Sequence, residues 1–239
     1  MNPAPSTKSC LAALFAGSLF LGACQSPTPP KVQAPLEVHP PTYELIIPAD
    51  QKALLILFPC FPCDAADTRA ESPIADTAVA NGIAVLLMNF NQHILMSDAE
   101  KREVLDTIAA AVKAHGVDAT NTFIGGFSSG GNVSVLLAKE LVRAPRPGIG
   151  LKGVFAVDSP LDLVHLYACS QRDLAKSSFP EYKDEARYLQ AFLDSTLGSP
   201  TDSAPTPERF GAGAMANYER AAPLLNSSAS VAVLKDLPI

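Results

Sequence analysis

The chain contains no tryptophan, and its 239 residues include only 7% aromatic and 18% charged side chains. Five tyrosines and 11 phenylalanines are too few and too scattered for a carbohydrate- or base-stacking platform. Basic side chains are the minority, 18 against 24 acidic, with a formal net charge of −6 and no basic stripe. Nucleic acid is therefore a poor candidate partner. Histidine is scarce as well, with only His39, His93, His115 and His165, which limits both metal sites and general bases. There is no internal repeat and no heptad or collagen period, so fibrous architectures are excluded.

What is present is apolar. Hydrophobic residues make up 48%, enough to exclude disorder throughout, and the length suits one α/β domain or at most two small ones. The 21 prolines sit mostly in clusters.

Residues 1–23 carry one early cation, Lys8, and then an apolar run from Leu11 to Ala23. The run is short for a bilayer span and ends in small residues, as an export signal does. Its end, Leu21-Gly22-Ala23-Cys24, resembles the bacterial lipoprotein cleavage box, in which the cysteine is lipidated and becomes the new N-terminus. The resemblance implies a lipid anchor at Cys24, acyl chains such as palmitate, and attachment to a membrane surface without a spanning helix. An ordinary secretory signal with an incidental cysteine is the alternative. Gln25 and Ser26 follow, with no aspartate, which by likeness to Gram-negative sorting implies the outer membrane, on its periplasmic or outer face. Residues 24–41 hold Pro27, Pro29, Pro30, Pro35, Pro40 and Pro41, and read as an extended tether.

Export makes disulfides permissible. Cys60-Phe61-Pro62-Cys63 is a C-x-x-C that reads as a tight turn or, less directly, as a redox pair. No second cysteine pair or neighbouring histidine completes a zinc site. Cys169 reads as a buried unpaired thiol. No cofactor or metal is implied.

From residue 42 the pattern is that of an α/β domain. Strands are expected at Tyr43–Ile47, Ala53–Phe58, 83–90, Thr122–Phe127 and 153–157. Ala53–Phe58 is unbroken apolar sequence, as in a parallel strand covered on both faces. Helices are expected at 71–80, from the capping box Ser97-Asp98-Ala99-Glu100 to His115, and at Ser129–Arg143. Alternation at this spacing predicts βαβ units in a mostly parallel sheet. Residues 163–225 break the rhythm with helical stretches at 163–174 and 181–197, and read as a cap; 208–225 is irregular or helical, and 229–234 leads toward the C-terminus.

Gly126, Ser128 and Gly130 form a G-x-S-x-G between the strand Thr122–Phe127 and the helix Ser129–Arg143. A sharp strand-to-helix turn lifts such a serine above the sheet, and only small flanking residues let the backbones approach. The new helix aims its first amides at the same spot. A dinucleotide fingerprint is lacking. In these residues the chain resembles the α/β-hydrolase superfamily from about Tyr43 to Ile239. Gly-Phe-Ser-Ser-Gly-Gly-Asn and Val157-Asp158-Ser159-Pro160-Leu161-Asp162 also look like a group of bacterial hydrolase-like proteins. The resemblance implies Ser128 as nucleophile and the amides of Ser129 and Phe61 as oxyanion donors, although Pro59 and Cys60 stand where the family carries histidine and glycine. It implies a small-molecule ester or amide substrate and leaves the oligomeric state open.

A serine needs a base and an orienting acid. The family order of serine, acid, histidine is met literally by Ser128, Asp158 and His165. His165, however, stands seven residues after Asp158 in what reads as a following helix. His93 reads as a loop residue near the rim, His115 as the end of a surface helix, and Asp158 alternatively as the cap of a helix starting near Pro160. Lys235-Asp236-Leu237-Pro238-Ile239 resembles the approach to a further central strand, so the resemblance places the acid and histidine beyond Ile239. The expectation is an α/β-hydrolase-like domain over 42–239 lacking its C-terminal strands and inactive as it stands. The alternative is a non-catalytic surface lipoprotein that uses the scaffold for binding.

Overall fold

The computed structural model describes residues 33–90, 96–176, 178–201, 210–225 and 231–237, which fall within one compact unit, Gln33–Ile239. Cys24 and His93 lie outside the described residues, as does the first half of the stretch read as a tether, residues 24–32. None of the described helices is long and apolar enough to cross a membrane.

The strands are β1 (Leu36–Val38), β2 (Tyr43–Ile47), β3 (Ala53–Phe58), β4 (Ile83–Met88), β5 (Thr122–Phe127) and β6 (Leu151–Val157). The helices are α1 (Ala65–Glu71), α2 (Ile74–Ala80), α3 (Asp98–His115), α4 (Ser129–Arg143), α5 (Leu163–Lys176), α6 (Pro180–Thr196) and α7 (Ala212–Ala221). The sheet order is β1-β2-β4-β3-β5-β6; β4, β3, β5 and β6 run parallel, and β1 and β2 add an antiparallel margin. The mixed α/β class and mostly parallel sheet agree with the sequence reading.

Strand alternation divides the core between the two faces of the sheet. Leu54, Ile56, Phe58, Leu86 and Ile124 pack with Val104 and Ile108 of α3 and with Val133 and Leu137 of α4. Leu55, Leu57, Val85 and Leu87 face the other way, onto Ala65 of α1 and Ala75 and Ala78 of α2. Every residue of β3 is buried, because the strand is central and covered on both sides. A separate cluster joins the last helices, with Leu163 and Tyr167 of α5, Leu193 of α6 and Tyr218 of α7 around Phe210.

Several expectations shift. The tether stretch contains β1, which pairs with β2 in the register Leu36↔Ile47 and is braced by Arg69, bonded to Glu37 at 3.2 Å. The single helix expected at 71–80 is two, because Pro73 lacks a donor and forces Ser72 into an extended conformation. β4 ends at Met88 rather than residue 90, and β6 begins at Leu151 rather than 153. Residues 212–221, left open between helix and irregular structure, are helical. The C-terminal stretch forms a short 3-10 turn at Ala232–Leu234, with Leu234 buried, and Lys235–Leu237 continues as turn rather than as extended chain. The capping box at Ser97 and Glu100 is formed, and Gly116 ends α3 in the left-handed conformation at φ 63°.

Candidate active site

Register alone gathers the site. Phe58 of β3 pairs with Gly126 of β5, and Phe127 of β5 pairs with Val157 of β6. Three parallel strands therefore end side by side, and the residues that follow them meet at the carboxyl edge of the sheet. Such edges are where open α/β sheets bind ligands. The chain leaving β3 carries Phe61, that leaving β5 carries Ser128, and that leaving β6 carries Asp158.

Ser128 has φ 50° and ψ −121°, a strained conformation for a non-glycine residue between a strand and a helix. Its amide donates to the Val157 carbonyl at 2.9 Å, and its own carbonyl accepts from Gly131 at 3.1 Å. The side chain is exposed and caps nothing on α4, so the hydroxyl is available to a ligand. The flanking glycines are sterically required. A Cβ on Gly126 would strike the Gly130 carbonyl group and lie 2.7 Å from the Phe58 carbonyl oxygen. A Cβ on Gly130 would strike the Phe58 and Pro59 carbonyls. The expected reason for both glycines, close approach of backbones at the turn, is what the structure contains.

Ser129 follows at the first position of α4, 2% exposed, and its hydroxyl has no hydrogen-bond partner among the described residues. The Phe61 turn is closed twice over. Cys60 and Cys63 form a disulfide, and the Cys63 amide donates to the Cys60 carbonyl at 2.8 Å. The C-x-x-C is thus a cross-linked turn, and the Phe61–Pro62 peptide within it is cis.

These residues share a cleft of about 510 Å³. Phe61, Ser128, Ser129 and Asp158 line it together with Ser159 and Pro160 of the loop after β6, and the cap helices add Leu166 from α5 and Glu185, Tyr188 and Leu189 from α6. The rings of Phe61 and Tyr188 lie parallel at 6.2 Å between centroids, and Tyr188 continues the stack onto Phe192 at 6.1 Å. The apolar face read on 181–197 included Tyr188 and Leu189, but nothing in the sequence said that their exposed edges would close over Ser128. Glu185 had no sequence signal at all.

The other candidates lie apart. His165 is exposed on the first turn of α5 and does not line the cleft. His115 meets the hydroxyl of Tyr43 at 3.2 Å, and His39 sits between Glu37 and Glu44. Among the described residues no histidine lines the cleft. Asp158 has the left-handed φ of 49° and caps no helix. The helix after it begins at Leu163, and its cap is Asp162, whose carboxylate accepts from the His165 amide at 3.0 Å. Cys169, expected to be buried, is half-buried; it is a free thiol with the Arg172 guanidinium 3.2 Å from its sulfur.

The sequence matches no protein-family model and no curated protein. Solved structures give distant likenesses. A substrate-bound fluorophosphonate-binding serine hydrolase F of Staphylococcus aureus is 14% identical with a TM-score of 0.43, over 67% of this chain and 72% of that one. A hyperthermophilic esterase from the archaeon Pyrobaculum calidifontis is 15% identical with a TM-score of 0.48, over 67% of this chain and 56% of that one. An S-formylglutathione hydrolase from Agrobacterium tumefaciens is 11% identical with a TM-score of 0.41, over 54% of this chain and 58% of that one. The chain spans a little over half the length of the last two. By its own strand order, parallel core and glycine-flanked serine turn, the chain has an α/β-hydrolase-like fold.

Proposed function

We propose that the chain is a serine hydrolase acting on a carboxylic ester or amide, with Ser128 as nucleophile. The observation that carries this is the strained, glycine-locked turn that presents the Ser128 hydroxyl, uncapped, to a cleft at the carboxyl edge of the sheet. In the first step the Ser128 Oγ bonds to the carbonyl carbon. The amides of Ser129, at the start of α4, and of Phe61, in the cross-linked turn, donate to the oxygen that becomes negative. Collapse breaks the bond to the alcohol or amine, which leaves with a proton, and water then hydrolyses the acyl-serine. The Ser128 proton must pass to a base. Among the described residues, the titratable groups that line the cleft with it are the carboxylates Asp158 and Glu185 and the Tyr188 phenol, and no imidazole.

That last point favours a second reading, in which the cleft binds a ligand without turning it over. Hydrolysis of short p-nitrophenyl esters by the full chain separates the two. Turnover that disappears in Ser128→Ala supports the hydrolase, and a folded protein with no turnover supports the binding protein.

We further propose that Cys24 carries a lipid anchor that holds the domain at the outer membrane, with the proline-rich stretch as spacer. The support is the Leu-Gly-Ala-Cys box after an apolar run. Incorporation of a palmitate analogue, abolished by Cys24→Ser, is the expected outcome. Equal incorporation in the variant removes the proposal.

A further inference from the structure

The cleft has a chemical bias beyond its serine. Its walls include two unpaired carboxylates and no cation: the side chains of Asp158 on the β6 side and Glu185 on α6 make no hydrogen bond or ion pair among the described residues. The basic residues beside Glu185 on α6 do not reach it. Lys183 is outside the lining, and Arg187 is engaged by Asp184 on the same helix. The same cleft is lined by Phe61 and Tyr188, residues 36% and 44% exposed, whose rings are parallel to within 4°.

Carboxylates raise the local concentration of cations and repel anions, most strongly in a cleft with apolar walls. An aromatic face attracts an ammonium group within about 6 Å of its centre through the ring quadrupole. Leu166 and Leu189 line the same space and offer only apolar contact. We infer that the cleft selects a substrate with a cationic, ammonium-type group beside an apolar or aryl body, and rejects substrates bearing a carboxylate or phosphate. As a statement about substrate, this rests on the reading of Ser128 as nucleophile; the selectivity itself is a property of the four side chains Asp158, Glu185, Phe61 and Tyr188.

Three probes of similar size test it on the full chain by calorimetry or ligand-observed magnetic resonance: benzyltrimethylammonium, its uncharged analogue neopentylbenzene, and phenylacetate. The expected order is ammonium first, uncharged probe about tenfold weaker, and phenylacetate without measurable binding, a spread of the size that cation–π and charge contacts give. Glu185→Gln and Asp158→Asn each reduce the ammonium preference about threefold or more, and asparagine tolerates the left-handed backbone at 158. Tyr188→Leu weakens ammonium binding while Tyr188→Phe, which keeps the ring face, retains it. Equal binding of the three probes, or preference for phenylacetate, overturns the inference. So does a preference that survives both carboxylate variants. Fluorophosphonate labelling of Ser128 is read on the same preparation. Labelling without an ammonium preference overturns this inference and leaves the hydrolase standing. An ammonium preference without labelling overturns the hydrolase and keeps the selectivity.

Discussion

Gly130 lies so close to Phe58 that a methyl group added to its Cα would fall on the Phe58 carbonyl oxygen. This contact fastens the start of α4 to the end of β3, and so sets the Ser128 turn against the loop that carries Phe61. Gly130→Ala forces the start of α4 away from the end of β3, and we expect a loss of about 2 kcal/mol in urea unfolding, in the range for overpacking a tight contact. Gly213, exposed in the first turn of α7 with nothing within 4 Å of an added Cβ, is the control. There the same change is expected to be neutral or to stabilise by up to about 1 kcal/mol, since alanine is the better helix former.

Two tyrosines in the helical cap make opposite predictions. The Tyr167 hydroxyl donates to the Asp194 carboxylate at 2.8 Å, whereas the Tyr218 hydroxyl, fully buried, has no partner among the described residues. Burial pushes both phenols well above the ordinary tyrosine value, so both stay neutral. Tyr167→Phe should cost about 1–2 kcal/mol because it leaves a carboxylate short of a donor. Tyr218→Phe should be neutral or stabilising, because it removes a buried polar group that nothing compensates. Chemical denaturation of the two variants side by side checks the contrast.

Lys139 on α4 is almost entirely buried and donates to the Pro223 carbonyl at 3.2 Å. Burial, with the nearby Arg143 and Lys101 charges, holds its ammonium below the ordinary lysine value of 10.5. Between the folded-state and unfolded-state values the unfolded chain binds more protons, so stability rises with pH there. The wild type should therefore gain stability relative to Lys139→Met as pH rises from 8 to 10.5. A stability difference that stays flat or falls over that window would show that the ammonium is not penalised.

The Cys60–Cys63 disulfide closes the turn that carries Phe61. Its removal by reductant or by the double Cys→Ser change should slow fluorophosphonate labelling of Ser128 by about tenfold or more, since complete loss of an oxyanion donor costs roughly 10²–10³ in rate. Unchanged labelling would remove Phe61 from the proposed role.

The central layer was legible because its physics is local. Ala53–Phe58 is a continuous apolar run, Thr122–Phe127 joins apolar residues to the glycines of the turn, and the ends of both strands fall where the sequence pattern puts them. Gly126 and Gly130 announced the turn because no other residue fits there. The margins were less legible. β1 is three residues flanked by prolines and is stabilised by pairing with β2 and by Arg69, none of which a local pattern shows. The alternative reading of Asp158 as a helix cap does not hold, because Asp158 and Asp162 look alike in sequence while only Asp162 reaches the His165 amide. The wall of the cleft was the least visible part. Phe61 and Tyr188 are 127 residues apart, and their stacking depends on how the cap lies over the sheet.

The most direct test of the account is the mass of the Ser128 peptide after the full chain has been treated with a fluorophosphonate. The account predicts a phosphonyl adduct on Ser128, approaching one per chain, absent in Ser128→Ala and after unfolding. A folded wild-type protein that carries no adduct, or carries it on another residue, would contradict it.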